Sequence, residues 1–401
     1  MINLETPKKF KVLVNQAQQV ANEVLRPNSR KYDLAEHAYP KELDLLASLL
    51  DGMNEGSDRG AGAGGVRRQE SAEDEIRNGS NMNTVLGVIE MCWGDVGLLL
   101  SMPRQGLGNS AIASVANEEQ LKRFERRWAA MAITEPGTGS DSANINTTAK
   151  LDGDEYVLNG EKIFVTAGER ADLVVVWATL DKNAGRAAIK SFVVEKDMPG
   201  IKVERLEHKL GIRASDTAVI SLKDCRVPKE NLLGSPEVDT KKGFGGVMQT
   251  FDNTRPLVAA MGVGVARAAL EETRKQLEAA GLEFDYNVPV NNQPAAIAQF
   301  MAMEADWESA YLLTLQAAWM ADNSMPNSLQ ASMAKAKAGR MVVDVTLKCV
   351  ELCGSVGFTE HELLEKWSRD AKILDIFEGT QQIQLLIVAR RLLGLSSSEL
   401  K

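Results

Sequence analysis

The chain is short of the residues from which metal sites and nucleophilic triads are built. Only three histidines, His37, His208 and His361, occur among its 401 residues, and they lie far apart in the sequence. A histidine triad or a zinc site would require the fold to bring distant segments together, and we predict neither. The four cysteines are scattered, and Cys349 and Cys353 lie on a predicted helix without a nearby histidine, which favours buried thiols over metal ligands.

Long hydrophobic runs and an excess of basic residues are also missing. No run of eighteen or more uncharged apolar residues occurs, and the N-terminus lacks the charged-then-apolar pattern of a signal peptide. We therefore expect a cytoplasmic protein without a membrane partner. The 55 acidic residues outnumber the 46 basic ones. Because neutralising phosphates requires a basic face, nucleic acid is not an expected partner.

The first part of the chain has a helical pattern. From Lys8 to Leu50, apolar residues recur at spacings of three and four, which is typical of amphipathic helices. The stretch from Asp51 to Ser80 is rich in glycine and charge and has almost nothing to bury, so we predict a flexible loop there. Helical periodicity returns from Asn81 to Trp128. Residues 1–128 are therefore predicted to form an N-terminal α-helical domain.

Short runs of β-forming residues, such as Leu173-Val-Val-Val-Trp-Ala, fill residues 129–236. Turn residues separate them, including Asp152-Gly-Asp and Asn159-Gly160, the second of which is a strong hairpin signal. These runs predict a middle domain that is an antiparallel, barrel-like β-structure.

From residue 237 to residue 401 the pattern is again helical. We expect long helices over residues 258–280, 294–320, 329–352 and 381–393, and helices of this number pack as a bundle. The predicted fold class is therefore α+β and multidomain, with N-terminal helices, a middle β domain and a C-terminal helix bundle.

One carboxylate near the C-terminus stands out by its surroundings. Glu378 follows the apolar run Ile373–Phe377 and precedes Gly379 and Thr380. Gly379 lets a ligand approach the backbone, and Thr380 can cap a helix that begins at Gln381. The helix dipole would keep such an acid ionised in a desolvating place, which suits a base that removes a weakly acidic C–H proton. An ordinary surface glutamate beside a capped helix has the same tripeptide, since short motifs match by chance.

Two segments of the middle region carry polar groups beside glycines or aromatics. In Thr134-Glu-Pro-Gly-Thr-Gly-Ser-Asp141, the glycines open unusual backbone conformations, and hydroxyl and N–H groups can face the polar edge of a ring. Phe164-Val-Thr166 ends a predicted strand. Taken alone, the first segment fits a plain strand connector and the second a half-buried strand end.

A third segment, Phe251-Asp-Asn-Thr-Arg-Pro256, precedes a predicted helix. Pro256 in the first turn, with Asp252 upstream, fits a helix N-terminus. Arg255 can bind a carboxylate or phosphate through two N–H groups, and the structural alternative is an ion pair with Asp252.

Together these motifs resemble the acyl-CoA dehydrogenase family, most closely its actinobacterial members. Met131–Asp141, Asp152–Thr166, Phe251–Pro256 and Arg369–Arg390 follow one another in the family's order, which is far more specific than any single motif. The resemblance implies FAD-dependent α,β-dehydrogenation of an acyl-CoA thioester to the trans-2-enoyl-CoA, as in fatty acid β-oxidation. It also implies that electrons pass to an electron-transfer flavoprotein.

The resemblance also implies roles for residues. Glu378 is the base that takes the α-proton, and its backbone N–H, with a flavin ribityl hydroxyl, polarises the thioester oxygen. The residues implied to bind FAD are Met131, Ile133, Thr134, Gly139, Ser140, Phe164, Thr166, Thr380 and Gln382. The residues implied to bind the acyl-CoA are Ser140, Asp252, Arg255, Gly379 and Arg390.

Two segments depart from the family's pattern. Leu282–Pro294 lacks an Arg-x-x-Phe-Gly segment, whose arginine holds the FAD pyrophosphate of a neighbouring subunit. In Val350–Ser355, a glutamine and a second glycine are expected, and Glu351 brings negative charge instead. Because both departures serve another subunit's flavin, we hypothesise a hetero-oligomer whose homologous subunit supplies the missing arginine. A homotetramer that binds the pyrophosphate through other groups is the alternative.

Two other functions stay open at the level of sequence. The chain can be a non-catalytic or half-site subunit that completes a partner's flavin site, although its retention of Glu378, Thr134 and Thr166 argues against this. It can also be an acyl-CoA oxidase or a flavin monooxygenase on the same fold. Formation of peroxide with acyl-CoA would distinguish an oxidase.

Overall fold

The chain begins with helices, continues with strands and ends with long helices. A computed structural model describes residues 8–55, 79–104, 106–238, 245–396 and 399–400, and the side chains of 49–55 and 245–253 lie outside this description. The order of elements confirms the predicted fold class. The strands of the described ranges lie between Ala129 and Leu233. The domain boundaries at 128/129 and 236/237 stay predictions.

Seven α-helices of the described residues precede the first strand. They are α1 (Lys11–Val20), α2 (Arg26–Leu34), α3 (Glu42–Glu55), α4 (Ser80–Gly94), α5 (Val96–Leu100), α6 (Leu107–Val115) and α7 (Glu118–Phe124). The prediction of a loop from Asp51 is wrong at its start, because α3 continues to Glu55. Buried Leu43, Leu46 and Ala47 give α3 an apolar face that carries it past the change in composition. Residues 56–78 of the predicted loop lie outside the described residues.

The strands form one mixed sheet. They are β1 (Ala129–Ala132), β2 (Thr148–Asp152), β3 (Glu155–Thr166), β4 (Leu173–Thr179), β5 (Ile189–Glu195), β6 (Ile201–Leu206), β7 (Thr217–Pro228) and β8 (Leu232–Leu233). Their order is β6-β7-β3-β2-β4-β5-β8, with β1 beside β4. β1 and β2 pair with β4 in parallel and the remaining pairs are antiparallel, so the middle region is mixed rather than purely antiparallel.

β4 is the strand around which this sheet packs, and every one of its residues is buried. Val174 and Val176 face one core together with Phe192, whereas Leu173 and Val175 face a second core that includes Ile112 and Phe124 from the preceding helices. When both faces of a strand are covered, its sequence is a nearly continuous run of apolar residues. This explains why the Leu173 segment gave so clear a β signal.

The two turn signals of the sequence have different outcomes. β2 and β3 pair antiparallel across Gly153, whose φ is +65°, so a turn is confirmed there. Asn159 and Gly160 lie inside β3, so the hairpin predicted at that point is wrong. A Cβ at Gly160 would lie 2.4 Å from Thr147 Oγ1, and the register with β7 shifts between Leu158 and Gly160. This glycine therefore serves a bulge and a close approach rather than a turn.

Within residues 245–396, five α-helices make up the C-terminal bundle. They are α8 (Gly245–Ala279), α9 (Ala295–Asp322), α10 (Ser328–Phe358), α11 (Leu364–Leu374) and α12 (Gln381–Leu393). The prediction that Pro256 stands in a first helical turn is wrong, because α8 begins at Gly245 and Pro256 lies inside it. Its missing N–H costs α8 one internal hydrogen bond. The predicted helix starting at 258 is therefore only the second part of α8.

Small residues let the long helices approach one another. A Cβ at Gly262 of α8 would lie 3.1 Å from the carbonyl oxygen of Ala338 in α10, and one at Gly264 would lie 2.4 Å from that of Ile89 in α4. α8 is thus packed between the bundle and an N-terminal helix, with buried alanines between them. Among the helices of the described ranges, none has both the length and the apolar character that crossing a membrane requires.

A buried lysine joins the three regions of the chain. Lys366 of α11 is 1% exposed, and its Nζ contacts Asp95 Oδ2 at 2.7 Å and Asp370 Oδ2 at 2.5 Å. Asp95 also caps α5 through Leu98 N, at 2.7 Å. Asp370 Oδ1 accepts from Ile212 N at 2.5 Å, which brings in the loop between β6 and β7. One ammonium therefore compensates two buried carboxylates that belong to different parts of the fold.

The same loop lies directly on α11. A Cβ at Gly211 would lie 2.4 Å from the backbone of Arg369, so only glycine allows this approach. Arg369 Nη1 donates to the carbonyl oxygen of Leu210 at 3.0 Å, and its Nη2 contacts Asp33 Oδ2 of α2 at 2.6 Å. The position of α11 is therefore determined from two sides, by the sheet and by the N-terminal helices.

We expect Lys366→Met to lower the free energy of unfolding by about 3–5 kcal/mol, because Asp95 and Asp370 would stay buried without their cation. Urea denaturation followed by tryptophan fluorescence measures this loss. Lys202→Met is the matched control, since Lys202 is 70% exposed and its 2.6 Å pair with Glu204 lies at the surface; the control should lose at most about 1 kcal/mol. Equal, small losses in the two variants would contradict the role of Lys366.

Candidate active site

Glu378 lies in the short connection between α11 and α12. Its backbone φ is +56° and that of Gly379 is +94°, so two consecutive residues are left-handed. A residue with a Cβ is strained in this conformation and keeps it only where its surroundings impose it. Thr380 follows as N-cap, and its hydroxyl accepts from Ile383 N at 3.4 Å. The predicted cap and the predicted start of α12 at Gln381 are confirmed.

Two buried side chains hold this turn. Lys335 Nζ of α10 donates to the carbonyl oxygen of Gly379 at 2.7 Å. Gln384 Nε2 of α12 donates to the carbonyl oxygens of Glu378 and Gly379 at 3.0 and 3.3 Å. A Cβ at Gly379 would lie 2.4 Å from Gln384 Nε2. The glycine is therefore required by the packing of the turn itself, whereas the approach of a ligand at this point stays a prediction.

The Glu378 carboxylate faces a polar group and two cations. Thr254 Oγ1 of α8 donates to Glu378 Oε2 at 2.8 Å. Burial raises the pKa of Glu378 above its usual range, and Thr254, Arg255 and Lys335 oppose this rise. From the sequence we expected the helix dipole to keep the acid ionised. The groups that oppose desolvation here are instead three side chains from two other helices.

Arg255 of α8 is 4% exposed, and its Nη1 is 3.4 Å from Ser332 Oγ of α10. Its positive charge opposes the rise in the pKa of Glu378, and its contact with a ligand stays a prediction. The side chain of Asp252 lies outside the described residues, so neither its proposed ligand contact nor the alternative ion pair with Arg255 is tested.

The residues predicted to face the ring of a flavin lie on the sheet. Met131 and Ile133 are half-buried and pack on a cluster that contains Trp177. Phe164 is 61% exposed at the end of β3, with a φ of +56°. Ile163 N donates to the carbonyl oxygen of Thr134 at 2.9 Å, which joins the two segments. Two segments joined by this hydrogen bond thus carry half-buried apolar side chains and an exposed aromatic ring, which are groups that can pack on a flat aromatic ligand.

A buried ion pair fixes the start of the loop after β1. Glu135 is 4% exposed and accepts from Lys162 Nζ and Thr147 N, both at 2.8 Å, and Lys162 Nζ also donates to the carbonyl oxygen of Ile133 at 3.1 Å. Burial favours protonation of Glu135, yet Lys162 and Thr147 hold its pKa below the usual range. Burial lowers the pKa of Lys162 to about 8.

The tip of this loop is open, in contrast to its start. Gly139 and Ser140 are exposed, and a Cβ at Gly137 or Gly139 would meet nothing within 4 Å. The loop therefore has a rigid base and a tip with room for a ligand, which is the arrangement that phosphate or ring recognition requires.

The two halves of the site are connected through the loop that docks on α11. Directly after Thr166, which is half-buried, Ala167 N donates to the carbonyl oxygen of Asp216 at 3.1 Å. That loop in turn binds Asp370 through Ile212. α11 then leads to Glu378. The end of β3 and the carboxylate are thus held in one continuous set of buried contacts.

Two predicted residues are placed farther along α12. Gln382 is exposed, and Arg390 Nε donates to the carbonyl oxygen of Leu400 at 2.6 Å. Arg390 is therefore engaged within its own chain through one nitrogen. Contacts of these two side chains with a cofactor or a ligand stay predictions.

Sequence reasoning missed three residues that contact Glu378 or Gly379, namely Thr254, Lys335 and Gln384. Thr254 lies within the segment Phe251–Pro256, whose sequence pattern indicated ligand contacts for Asp252 and Arg255 but gave no role to Thr254. Lys335 has a detectable signal, because it is a cation on the helical stripe formed with small, buried residues such as Ala331 and Ala338. Gln384 looks like any polar residue in the first turns of a helix, and its role appears only in three dimensions.

Two histidines that lie far apart in the sequence meet in the fold. His208 Nδ1 is 2.8 Å from Glu36 Oε2, and one ligand atom from each of Glu36, His37 and His208 lies within 4.8 Å of the others. The fold therefore does bring two of the distant segments that carry histidines together. Arg213 Nη2 and Lys209 N also bind Glu36, at 3.4 and 3.1 Å, so its charge is already compensated. The absence of a metal from the function stays a prediction.

The comparisons with known proteins agree with this geometry. Residues 130–225 match the family model described as acyl-CoA dehydrogenase, middle domain, and residues 241–393 match acyl-CoA dehydrogenase, C-terminal domain. A short-chain specific acyl-CoA dehydrogenase from Clostridium acetobutylicum is 36% identical over 75% of this chain and 78% of its own length.

Two solved structures extend the similarity to nearly the whole chain. Butyryl-CoA dehydrogenase from Megasphaera elsdenii is 28% identical with a TM-score of 0.82, over 98% of this chain and 100% of that one. A chain of the Acidaminococcus fermentans structure described as electron transferring flavoprotein is 30% identical with a TM-score of 0.81, over the same shares. The similarity therefore covers the sheet, the bundle and the turn between α11 and α12.

Proposed function

The chain belongs to the acyl-CoA dehydrogenase family, and on this premise we propose that it catalyses FAD-dependent α,β-dehydrogenation of an acyl-CoA thioester, with Glu378 as the base. The observation that carries the proposal is the carboxylate itself. Glu378 is held on a strained turn, accepts a hydrogen bond from Thr254, and lies beside two buried cations. Such an arrangement is typical of a group selected for chemistry rather than for stability.

The environment of Glu378 suits proton abstraction from carbon. Burial raises its pKa, which makes the carboxylate a stronger base, while Thr254 and Arg255 keep the charged form accessible. We propose that Glu378 takes the α-proton of the thioester and that its own backbone N–H donates to the thioester oxygen. A donor of this kind contributes roughly 3–4 kcal/mol of transition-state stabilisation.

The surface on the sheet fits the flat ring of FAD, on which members of the family depend. We propose that Met131, Ile133, Thr134, Phe164 and Thr166 hold the ring, because the apolar and aromatic groups of this set lie side by side beside a fixed loop start. The further residues proposed to bind FAD are Gly139, Ser140, Thr380 and Gln382. When bound, FAD accepts the β-hydrogen together with two electrons.

The contacts with the acyl-CoA are proposed from the remaining site residues. We propose that the ligand approaches the backbone at Ser140, on the open loop tip, and at Gly379, on the turn. Arg255 is buried, which favours an action on Glu378 and on the thioester end over one on a distant phosphate. Arg390 would have to use nitrogens other than Nε, which binds Leu400. Asp252 is carried over from the resemblance alone.

The electron acceptor is proposed to be an electron-transfer flavoprotein. The support is the family resemblance together with the similarity to the Acidaminococcus fermentans chain described as electron transferring flavoprotein. The alternative acceptor is molecular oxygen, as in an acyl-CoA oxidase. Production of hydrogen peroxide in step with enoyl-CoA would favour oxygen.

The subunit composition is proposed from two departures in sequence. Tetramers are typical of the family, and we propose one in which a homologous subunit supplies the arginine missing from Leu282–Pro294. Glu351 is exposed and pairs with Lys348 at 2.6 Å, so negative charge does stand where the family has glutamine. For a homotetramer, the structure offers Arg274 as a substitute cation, because its Nη1 donates to Tyr286 of that segment at 3.0 Å.

We expect Glu378→Gln to slow flavin reduction by acyl-CoA about 10²–10⁴-fold, because the amide cannot accept the α-proton. Anaerobic mixing of the FAD-loaded protein with acyl-CoAs of several chain lengths, followed at the flavin absorbance, measures this rate. The content of FAD should not change, since the two side chains have the same shape.

The control is Glu360→Gln, at an exposed glutamate between α10 and α11, which should reduce at the wild-type rate. Rapid reduction of Glu378→Gln would refute the assignment of the base. A wild-type protein that holds FAD but is reduced by none of the acyl-CoAs would refute the proposed reaction.

The acid limb of the pH–rate profile should respond to Thr254. The carboxylate is the active form, so kcat/KM falls as the pH falls through the raised pKa of Glu378. Thr254 stabilises the charged form, and Thr254→Val should therefore move the acid limb to higher pH, by about one to two units. Thr346→Val removes a buried hydroxyl that binds Val342 elsewhere on α10, and it should leave the limb in place. An unmoved limb in Thr254→Val would contradict the contact.

The hetero-oligomer makes a further prediction. Expressed alone, the chain should bind FAD weakly, because a lost charge-assisted hydrogen bond of about 1.5–3 kcal/mol corresponds to one to two decades of affinity. Flavin absorbance against protein concentration after gel filtration measures the occupancy. One tightly held FAD per chain would favour the homotetramer instead.

A further inference from the structure

Lys335 is a buried cation in the helix bundle. It is 0% exposed on α10, between Ala334 and Ala336, which are also buried. Burying an ammonium ion is unfavourable unless charges and hydrogen bonds compensate it. The nearest compensation is the carbonyl oxygen of Gly379, which accepts from Lys335 Nζ at 2.7 Å.

We propose that Lys335 is a positioning residue for the base: its ammonium holds the Gly379 carbonyl, fixes the turn that presents Glu378, and places a positive charge beside that carboxylate. The catalytic part of this inference rests on the proposed function. Its structural part, the hold on the turn, does not.

The geometry explains why such a hold is needed. The left-handed φ of Glu378 is unfavourable for a residue with a Cβ, whereas Gly379 adopts its positive φ without strain. Gln384 restrains the turn from α12, which is the element that follows it. Lys335 restrains the turn from α10, a long helix at the centre of the bundle. This second restraint ties the backbone of the turn to a helix that does not adjoin it in sequence, and the Thr254 hydrogen bond from α8 does the same for the Glu378 side chain.

The same face of α10 also supports the other side of the carboxylate. Ser332 lies three residues before Lys335 and contacts Arg255 Nη1 at 3.4 Å, next to Thr254. Residues three apart on a helix share a face. One stretch of α10 therefore positions both the turn that carries Glu378 and the segment of α8 that donates to it.

The charges around Lys335 are mixed. Asp375 and Glu378 are the carboxylates that act on it, Arg255 is the opposing cation, and Arg340 Nη2 lies 3.7 Å from Asp375. Burial lowers the pKa of Lys335 to about 8, and the two carboxylates limit the fall. At neutral pH the ammonium form therefore predominates. Its removal would leave Glu378 with less positive charge and the Gly379 carbonyl without its strongest donor.

The hold on the turn is tested without reference to activity. In Lys335→Met, the amides of residues 376–384 should exchange with deuterium at least about tenfold faster by mass spectrometry, because the turn loses its anchor to α10. The matched control is Lys337→Met, two residues along α10, where the lysine is partly exposed and pairs with Asp306. Unchanged exchange at 376–384 in Lys335→Met, or equal acceleration throughout the bundle, would overturn the proposal.

The effect on the base is tested by kinetics. Lys335→Met should lower kcat about 10- to 100-fold and change KM for acyl-CoA less than about threefold, because the positioning acts on the reacting geometry. The acid limb of kcat/KM should move to higher pH. Lys335→Arg keeps the charge and a donor, and it should recover part of kcat and return the limb toward its wild-type position.

A merely structural lysine would give a different result. It would lower the melting temperature and the FAD content, while the kcat of the folded fraction and the acid limb of the pH–rate profile stayed at wild-type values. This outcome would overturn the role in catalysis.

A second variant serves if Lys335→Met fails to fold. Lys335→Gln keeps an amide donor without the charge, and the acid limb of its pH–rate profile should still move to higher pH. Failure of the proposed function looks different again, since the wild-type protein would then show no acyl-CoA-dependent flavin reduction, and the exchange experiment would still decide the hold on the turn.

Discussion

The structure depends on the compensation of two buried carboxylates by one ammonium. Lys366 binds Asp95, which caps an N-terminal helix, and Asp370, which holds the loop between β6 and β7. The three parts of the chain therefore converge on α11 rather than on a broad apolar interface alone. Because an uncompensated buried charge is strongly unfavourable, this contact fixes how the parts are arranged. The direction of α11, and with it the position of Glu378, follows from that arrangement.

The turn that carries Glu378 combines opposing requirements. Desolvation makes Glu378 a stronger base but favours its neutral form, whereas Thr254 and nearby cations favour the charged form. The left-handed backbone sets the turn between two helices but is itself unfavourable. Lys335 acts on both the strained backbone and the desolvated acid. Its ammonium group donates to the Gly379 carbonyl oxygen and places a positive charge near the Glu378 carboxylate. The site is thus maintained by residues that need not touch a substrate.

The sequence predicts those features that local rules control. The Thr380 cap needs only a hydroxyl and a helix start, and it was found at the predicted residue. The helical and β regions follow from periodicity, and the family motifs follow from their order. Features that depend on contacts between distant segments were missed. Asn159-Gly160 has the signal of a hairpin, but Thr147 approaches Gly160 and makes it a bulge. Lys335 and Gln384 contact the same turn from two different helices, and no local sequence pattern predicts such a pair of contacts.

The backbone conformation of Glu378 has an evolutionary consequence. Glycine would occupy this left-handed position without strain and would remove a half-buried acid, so the glutamate is locally unfavourable for folding. Selection for folding alone would tend to erase it from a descendant lineage, and the neighbouring Lys335 would then lose a counter-charge and become dispensable as well. A paralogue that had given up chemistry for a purely architectural duty would be expected to shed the two residues together.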